Sequence, residues 1–537
     1  MFRISIIASV IVLASSLVAR GQDDLASAKK LLERKQWDKA IEVYEKLLEE
    51  GTSVLECRIG LCQAWLGKQD PDTASFHAVK AEKADPKSIE AARLVGWCFL
   101  LKGQAKAAQQ SDPTADYEQA ILSYRRCTEL EPKNAEHWAN LGWLHQQLGQ
   151  YDEAVAAYEK AASLDAGNLN YTYSVALNAL NASNAATDPA KKKSLKEKAA
   201  AWASKGMKAA KKNPGFLAPL ANILNAAGHS NEAAEAYLEV LLAKSGDPNV
   251  KGPAAQGLWG VYGPAGRWDE LIGAYEKWAS AEPKNYLPSW WKGYAQLSAK
   301  RFKDAVATWK KVDKLSGGQW AQAWHYLGVA LRGAGQMEEA ARQLARAAKS
   351  NYPWQNPQDS PQFYLELLAG EAFQAGKLDL AVKIIEQDLL PVIKQDRKIW
   401  VLNNLGLFRR DLGVAQERQG LKTAARKSYE AAKKAYKDAV QLIPKHPEMT
   451  ATQKAQLLND YGLMYQYHFD DYKTALKNYL AALELDPNLP DACLNVGRIY
   501  MQLGKLKEAL EVLKRGGDRG DIVAARKRCE QMMKKKP

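Results

Sequence analysis

The sequence predicts an all-α chain of short helical hairpins stacked one on the next. Three observations predict it. Apolar residues recur at i, i+3, i+4 and i+7 in short runs, which puts one stripe on each helix. Glycines and other small residues return at fixed offsets with a period of roughly 34 residues, as helix–turn–helix repeats do. No stretch alternates apolar and polar residues as a half-buried strand would. A single hairpin of this kind cannot bury its apolar face, so it must lean on neighbours built the same way.

The segment Ala135–Asn168 carries the pattern most fully, with Trp138, Leu141, Gly142, Leu148, Gly149, Tyr151, Ala154, Tyr158 and Ala161. Gly142, Ala154 and Ala161 let two backbones approach within roughly 8–10 Å. Gly149 falls where the first helix ends and the chain reverses, a place where glycine adopts the left-handed conformation at little cost. The segment resembles a tetratricopeptide repeat, with His145 where that family has tyrosine and Ala166 where it has proline. The resemblance implies a right-handed superhelical solenoid of roughly thirteen such repeats with a C-terminal capping helix. It also implies a protein or peptide partner rather than a substrate.

The chain opens with Arg3, the apolar run Ile4–Val18, and Ala19-Arg20-Gly21 ahead of Gln22. Residues 1–21 thus read as a secretory signal peptide. An uncleaved anchor is the alternative, but the run is shorter than the roughly 20 residues a spanning helix needs. The mature chain is expected to be exported, periplasmic or secreted, with no transmembrane helix once the signal is removed.

Residues 22–353 read as an N-terminal array of roughly nine repeats. The first has Trp37, Ala40 and Tyr44, the second Gly60, Ala74 and Ala81. The third has Gly96, Tyr117, Ala120 and Tyr124, with the polar stretch Gln104–Asp116 in place of a tight turn. Ala135–Asn168 is the fourth, and the fifth carries an insertion at Ser183–Lys198. Gly228, Ala233 and Tyr237 mark the sixth; Gly266, Tyr275 and Trp278 the seventh; Gly293, Ala305 and Trp309 the eighth. The ninth repeats the pattern closely with Trp324, Leu327, Gly328, Gly335, Ala340 and Ala347. A proline-containing connection, 354–361, is expected to bend the stack. Residues 362–515 read as a C-terminal array of roughly four repeats, and 516–537 as a capping helix and basic tail of the kind a solenoid end requires.

The formal net charge is +14, with basic residues clustered at Lys191–Lys212, Lys394–Lys437 and Arg515–Lys536. These are either solvated helix faces or a source of attraction to an anionic surface such as lipid headgroups or acidic polysaccharide. Nucleic acid is not expected as a partner in an exported compartment. Of the six cysteines, Cys493 and Cys529 form the pair whose bridging the repeat register permits. Cys62 and Cys98 take equivalent positions on adjacent first helices and are expected to lie too far apart to bridge. Cys127 takes a small-residue packing position and is expected to be a buried thiol.

The search for chemistry returns little. The seven histidines show no H-E-x-x-H or other ligand spacing, and there is no C-x-x-C pair, G-x-S-x-G elbow or phosphate-binding loop. The acid pairs Asp152-Glu153 and Glu338-Glu339 open second helices, where carboxylates favour the helix dipole. No enzyme, cofactor or metal is expected. What remains is the face that first helices present in proteins the segment resembles. That resemblance places Trp143, Trp290, Tyr294, His325 and Arg332 at ligand-facing positions. Trp290 and Tyr294 are read either as anchors or as filler, since large aromatics carry much interface energy. Trp268, Trp278, Trp309 and Trp324 match packing positions and read as core. The lysines and arginines with which some family members clamp a C-terminal carboxylate are missing at the matched positions. The expected function is an exported, non-enzymatic scaffold that holds a peptide or protein segment. The alternative is an envelope-surface binder of anionic glycan or lipid.

Overall fold

The computed structural model describes residues 22–210, 214–243, 248–350 and 352–535. The expected signal peptide, residues 1–21, lies outside them. Contacts divide the chain into two units, one ending at Arg267 and the other starting at Trp268. Among the described residues there are helices and turns and no strand, so the all-α class holds.

In the first unit, helix 22–33 pairs with Trp37–Glu49, Val54–Gly67 with Pro71–Ala84, and Ile89–Ala108 with Thr114–Leu130. Ala135–Gln147 then pairs with Tyr151–Leu164, Leu169–Ala185 with Pro189–Ala209, and Leu217–Ala227 with Ser230–Leu242, and helix Pro248–Tyr262 closes the unit. The second unit opens with Trp268–Ala281. Its pairs are Tyr286–Ser298 with Phe302–Leu315, Ala321–Gly333 with Met337–Ala348, and Lys398–Arg418 with Lys422–Leu442. Ala451–His468 pairs with Tyr472–Leu485, Pro490–Gln502 with Leu506–Arg515, and Gly520–Lys535 covers the end. Between Met337–Ala348 and Lys398–Arg418, Pro361–Gln374 is followed by a short α-helix, Leu378–Lys383, that runs on as a π-helix over Ile384–Leu389.

The repeat signature works as one device. The second-helix aromatic fills the space above the first-helix glycine: Tyr158 over Gly142, Trp309 over Gly293 and Tyr479 over Gly462. A Cβ at those glycines would stand 2.9, 2.8 and 2.6 Å from the nearest ring atom, well inside ordinary contact. Gly149 sits at φ +69°, as its turn requires, and Lys35, Gln69 and Lys300 take the same left-handed conformation at the matching turns.

Two local expectations change. Helix Ile89–Ala108 runs through part of the polar stretch read as a turn, because Gln104, Ala105, Lys106, Ala107 and Ala108 all favour helix. The insertion in the fifth repeat is absorbed by lengthening both helices, with the Asp188 side chain accepting the Lys191 N–H to start the second.

The cysteines also depart from expectation. Cys62 and Cys98 are not far apart: both are fully buried and their Sγ atoms lie 3.6 Å from each other. Helix axes stay separated, but two side chains aimed into the same seam close the remaining distance. Cys493 and Cys529 face different partners instead, the Pro487 carbonyl at 3.6 Å and the Leu506 carbonyl at 3.2 Å. All six cysteines are free thiols, and Cys127 is fully buried.

Candidate partner-binding site

Four of the five ligand-facing residues read from the sequence come together in the second unit. Trp290 and Tyr294, one helical turn apart on Tyr286–Ser298, stack with ring centroids 5.6 Å apart and planes 2° from parallel. The spacing i, i+4 puts both on one face. The Tyr294 ring meets Tyr326 edge-on at 5.5 Å, and Tyr326 meets His325 at 4.9 Å. His325 in turn meets Trp354 at 4.7 Å and Tyr364 at 5.3 Å. Arg332 lies 5.8 Å over the Tyr364 ring. The result is one aromatic row running across first helices of the eighth, ninth and tenth pairs. Trp143 is elsewhere: it packs edge-on to Tyr117 at 5.7 Å against a core cluster of the first unit.

The exposed share of that row differs from the sequence reading. Trp290 and Tyr294 are half-buried, so part of each ring faces outward. His325 is fully buried and offers no surface to a partner. The reason is the connection after the ninth pair, which folds back and lays Trp354 over the imidazole. His325 Nε2 lies 3.4 Å from the Asp359 carboxylate, while Nδ1 has no hydrogen-bond partner. Arg332 is not a free cation either, because its guanidinium forks onto Glu371, with Nε donating to Oε2 at 2.9 Å.

Sequence reasoning did not find the connection's role. The connection 354–361, read as a bend in the stack, helps wall a cavity of about 380 Å³. Tyr352, Trp354, Phe363 and Ile393 line it together with Pro353 and Pro357. Tyr352 and Trp354 touch at 4.6 Å, and the Tyr352 hydroxyl accepts from Gln322 on the ninth pair. The signal available beforehand was the density of rings beside prolines in Tyr352-Pro353-Trp354 and Phe363-Tyr364. At the rim, Arg397 forks onto Glu366 with contacts of 3.1 and 2.6 Å. Arg397 is thus matched by a carboxylate, whereas Lys394, also on the lining, makes no ion pair among the described residues.

Burial pushes the Tyr326 and Tyr364 hydroxyls above the usual phenol range, with Asp359 adding to both, so neither serves as a base near neutral pH. Among the described residues no group of three or more His, Cys, Asp or Glu could hold a metal ion. The four tryptophans read as core divide. Trp278 and Trp309 are fully buried, Trp268 is half-buried, and Trp324 lies at a seam with its indole N–H on Asp313 at 2.8 Å and Arg346 over its ring.

Three stretches match tetratricopeptide-repeat family models: residues 135–168, 112–134 and 468–521. The chain contains tetratricopeptide repeats. Repeats of this kind imply a protein–protein interaction scaffold, and with it a protein partner. A human relative, protein O-mannosyl-transferase TMTC1, is 30% identical over 141 residues, which is 26% of this chain and 15% of that protein. A crystal structure of MamA protein aligns with 36% of this chain and 92% of its own at 21% identity and a TM-score of 0.30. The APC/C hetero-tetramer Cut9–Hcn1 aligns with 94% of this chain and 95% of its own at 13% identity and a TM-score of 0.25. No helix among the described residues is long and apolar enough to cross a membrane.

Proposed function

We propose that the mature chain is an exported, non-enzymatic scaffold whose tetratricopeptide repeats hold one peptide or protein segment along the eighth to tenth pairs. The reading of export rests on Arg3, the apolar run Ile4–Val18 and the small residues before Gln22. The reading of the site rests on one observation: an aromatic-walled cavity joined through Trp354, His325 and Tyr326 to the half-exposed Trp290–Tyr294 stack. The cavity takes one large apolar side chain of the partner as an anchor, and the stacked pair takes the next apolar contact along the segment. Rigid aromatics supply contact area at low entropic cost.

Affinity capture from the exported fraction, with Gln22–Pro537 as bait, tests this. Partners held by the unchanged chain should be lost from both Trp290→Ala and Trp354→Ala. If both variants retain every partner, the site is wrongly placed. Amino-terminal sequencing of the recovered chain should begin at Gln22; a chain that begins at Met1 and stays with the cells removes the export reading. An anionic glycan or lipid surface is the second reading, favoured by the exposed lysines Lys192 and Lys193, which make no ion pair among the described residues. Contact of that kind should fade once salt shortens the Debye length to about 8–10 Å or less, whereas an apolar anchor should persist.

A further inference from the structure

The second unit has another cavity, of about 520 Å³, at its far end. It lies among helices Ala451–His468, Tyr472–Leu485 and Pro490–Gln502 and the covering helix Gly520–Lys535, well along the chain from the aromatic row. Two tyrosines stand at its wall with large exposed fractions, Tyr467 at 54% and Tyr472 at 42%. Met501 and Met532 add flexible apolar surface. Arg498 and Arg528 also line it, both exposed.

The charges decide what this cavity lacks. Its one lining carboxylate, Asp521, is already taken by Arg519, with hydrogen bonds of 2.7 and 3.0 Å. Arg519 also pairs with Asp491 at 2.8 Å, and Arg526 pairs with Asp518 at 2.6 Å. Arg498 and Arg528 have no carboxylate partner among the described residues. Two forked cations without counterions, set beside exposed rings and methionines, fit a ligand that brings both carboxylates and an apolar side chain.

We propose that this cavity is a second recognition site, taking an acidic peptide segment whose carboxylates pair with Arg498 and Arg528 while an aromatic or aliphatic side chain packs on Tyr467, Tyr472 and Met532. It is independent of the aromatic row and would let one chain engage two segments at once.

The probe is a fluorescent peptide, Asp-Glu-Phe-Glu-Asp, compared with its amide counterpart Asn-Gln-Phe-Gln-Asn, in anisotropy titrations of Gln22–Pro537. The acidic peptide should bind and the amide peptide should not. The double variant Arg498→Gln/Arg528→Gln should weaken binding by about tenfold or more, since charge-assisted pairs are removed. A control of equal charge change, Lys473→Gln/Lys534→Gln, should alter it by no more than about twofold, the size of a screened surface effect. Equal losses in the two double variants, or no binding by the unchanged chain, overturn the proposal. A benzophenone in place of the phenylalanine should crosslink to residues 466–472 or 524–532; crosslinks confined elsewhere also overturn it, without reliance on any variant. Trp290→Ala should leave this binding unchanged, so failure here and failure of the aromatic site are separately visible.

Discussion

Two glycine-to-alanine substitutions in the second unit should move stability in opposite directions. Both Gly462 and Gly370 lie inside helices, Ala451–His468 and Pro361–Gln374. By intrinsic propensity alone, each replacement should stabilise by about 1 kcal/mol. At Gly370 a new Cβ meets nothing within 4 Å, so that gain should appear in full. At Gly462 the Cβ would stand 2.6 Å from Cε1 and 2.8 Å from Cδ1 of Tyr479. Carbon atoms rest at about 3.5–4.0 Å, so the ring must retreat by roughly 1 Å. It has little room: Tyr479 is fully buried and its hydroxyl donates to Gln466 at 2.7 Å. Overpacking costs about 1–3 kcal/mol, and straining the hydrogen bond adds about 1. Set against the propensity gain, Gly462→Ala should lose about 1–3 kcal/mol. Urea unfolding of the two variants gives the signs. Because long repeat arrays need not unfold as one cooperative unit, hydrogen exchange in Ala451–His468 gives the local value. If Gly462→Ala raises the midpoint as Gly370→Ala does, the glycine–aromatic device is not what holds each hairpin together.

Refolding with reduced and oxidised glutathione should yield a Cys62–Cys98 bridge in a non-reducing peptide map and leave Cys493 and Cys529 as thiols; the reverse outcome would contradict the 3.6 Å approach of the first pair. Closing a loop of 36 residues should then stabilise the first unit by about 4 kcal/mol in the chain-entropy account. Ala154→Arg places a long charged side chain at a fully buried packing position and should cost about 1–3 kcal/mol or more, and an unchanged melt would count against the register. His77 is buried beside Arg58, and burial first, then that cation, push its imidazole down to about 4. The folded chain therefore binds this proton less readily than the unfolded chain. The stability it gives is complete above the ordinary histidine range near 6.5 and lost as pH falls toward about 4, by at most about 3 kcal/mol. His77→Gln should flatten the unfolding midpoint between pH 7 and pH 5, and an unchanged slope would rule that group out.

The hairpins were legible because the sequence states each contact twice. Gly142 and Tyr158 are two halves of one packing event, and the same two halves recur as Gly293 with Trp309 and Gly462 with Tyr479. A pattern that names both partners leaves little for distant context to change. Helix ends were less legible where no such pair exists. Gln104–Ala108 and the Ser183–Lys198 insertion carry helix formers without a glycine–aromatic pair, so the question of turn or helix is settled by propensity and by caps such as Asp188. The closeness of Cys62 and Cys98 was misjudged for a different reason: spacing between helix axes says nothing about two side chains that both point into the seam.

The same distinction accounts for the candidate site. Trp290, Tyr294, His325 and Arg332 could be placed from register because register fixes which face of a first helix they occupy. The pairing of Arg332 could not, because it depends on Glu371 of the next first helix, nor could the burial of His325, which depends on residues 352–360, where the repeat is interrupted. There Trp354 covers His325, Tyr352 reaches back to Gln322, and Asp359 approaches the imidazole. None of these contacts repeats elsewhere among the described residues, so no period announces them. A scaffold made of equal units has no reason to bind one segment at one place rather than another. Selectivity must enter where the units stop being equal, and in this chain the aromatic-walled cavity lies at such an interruption.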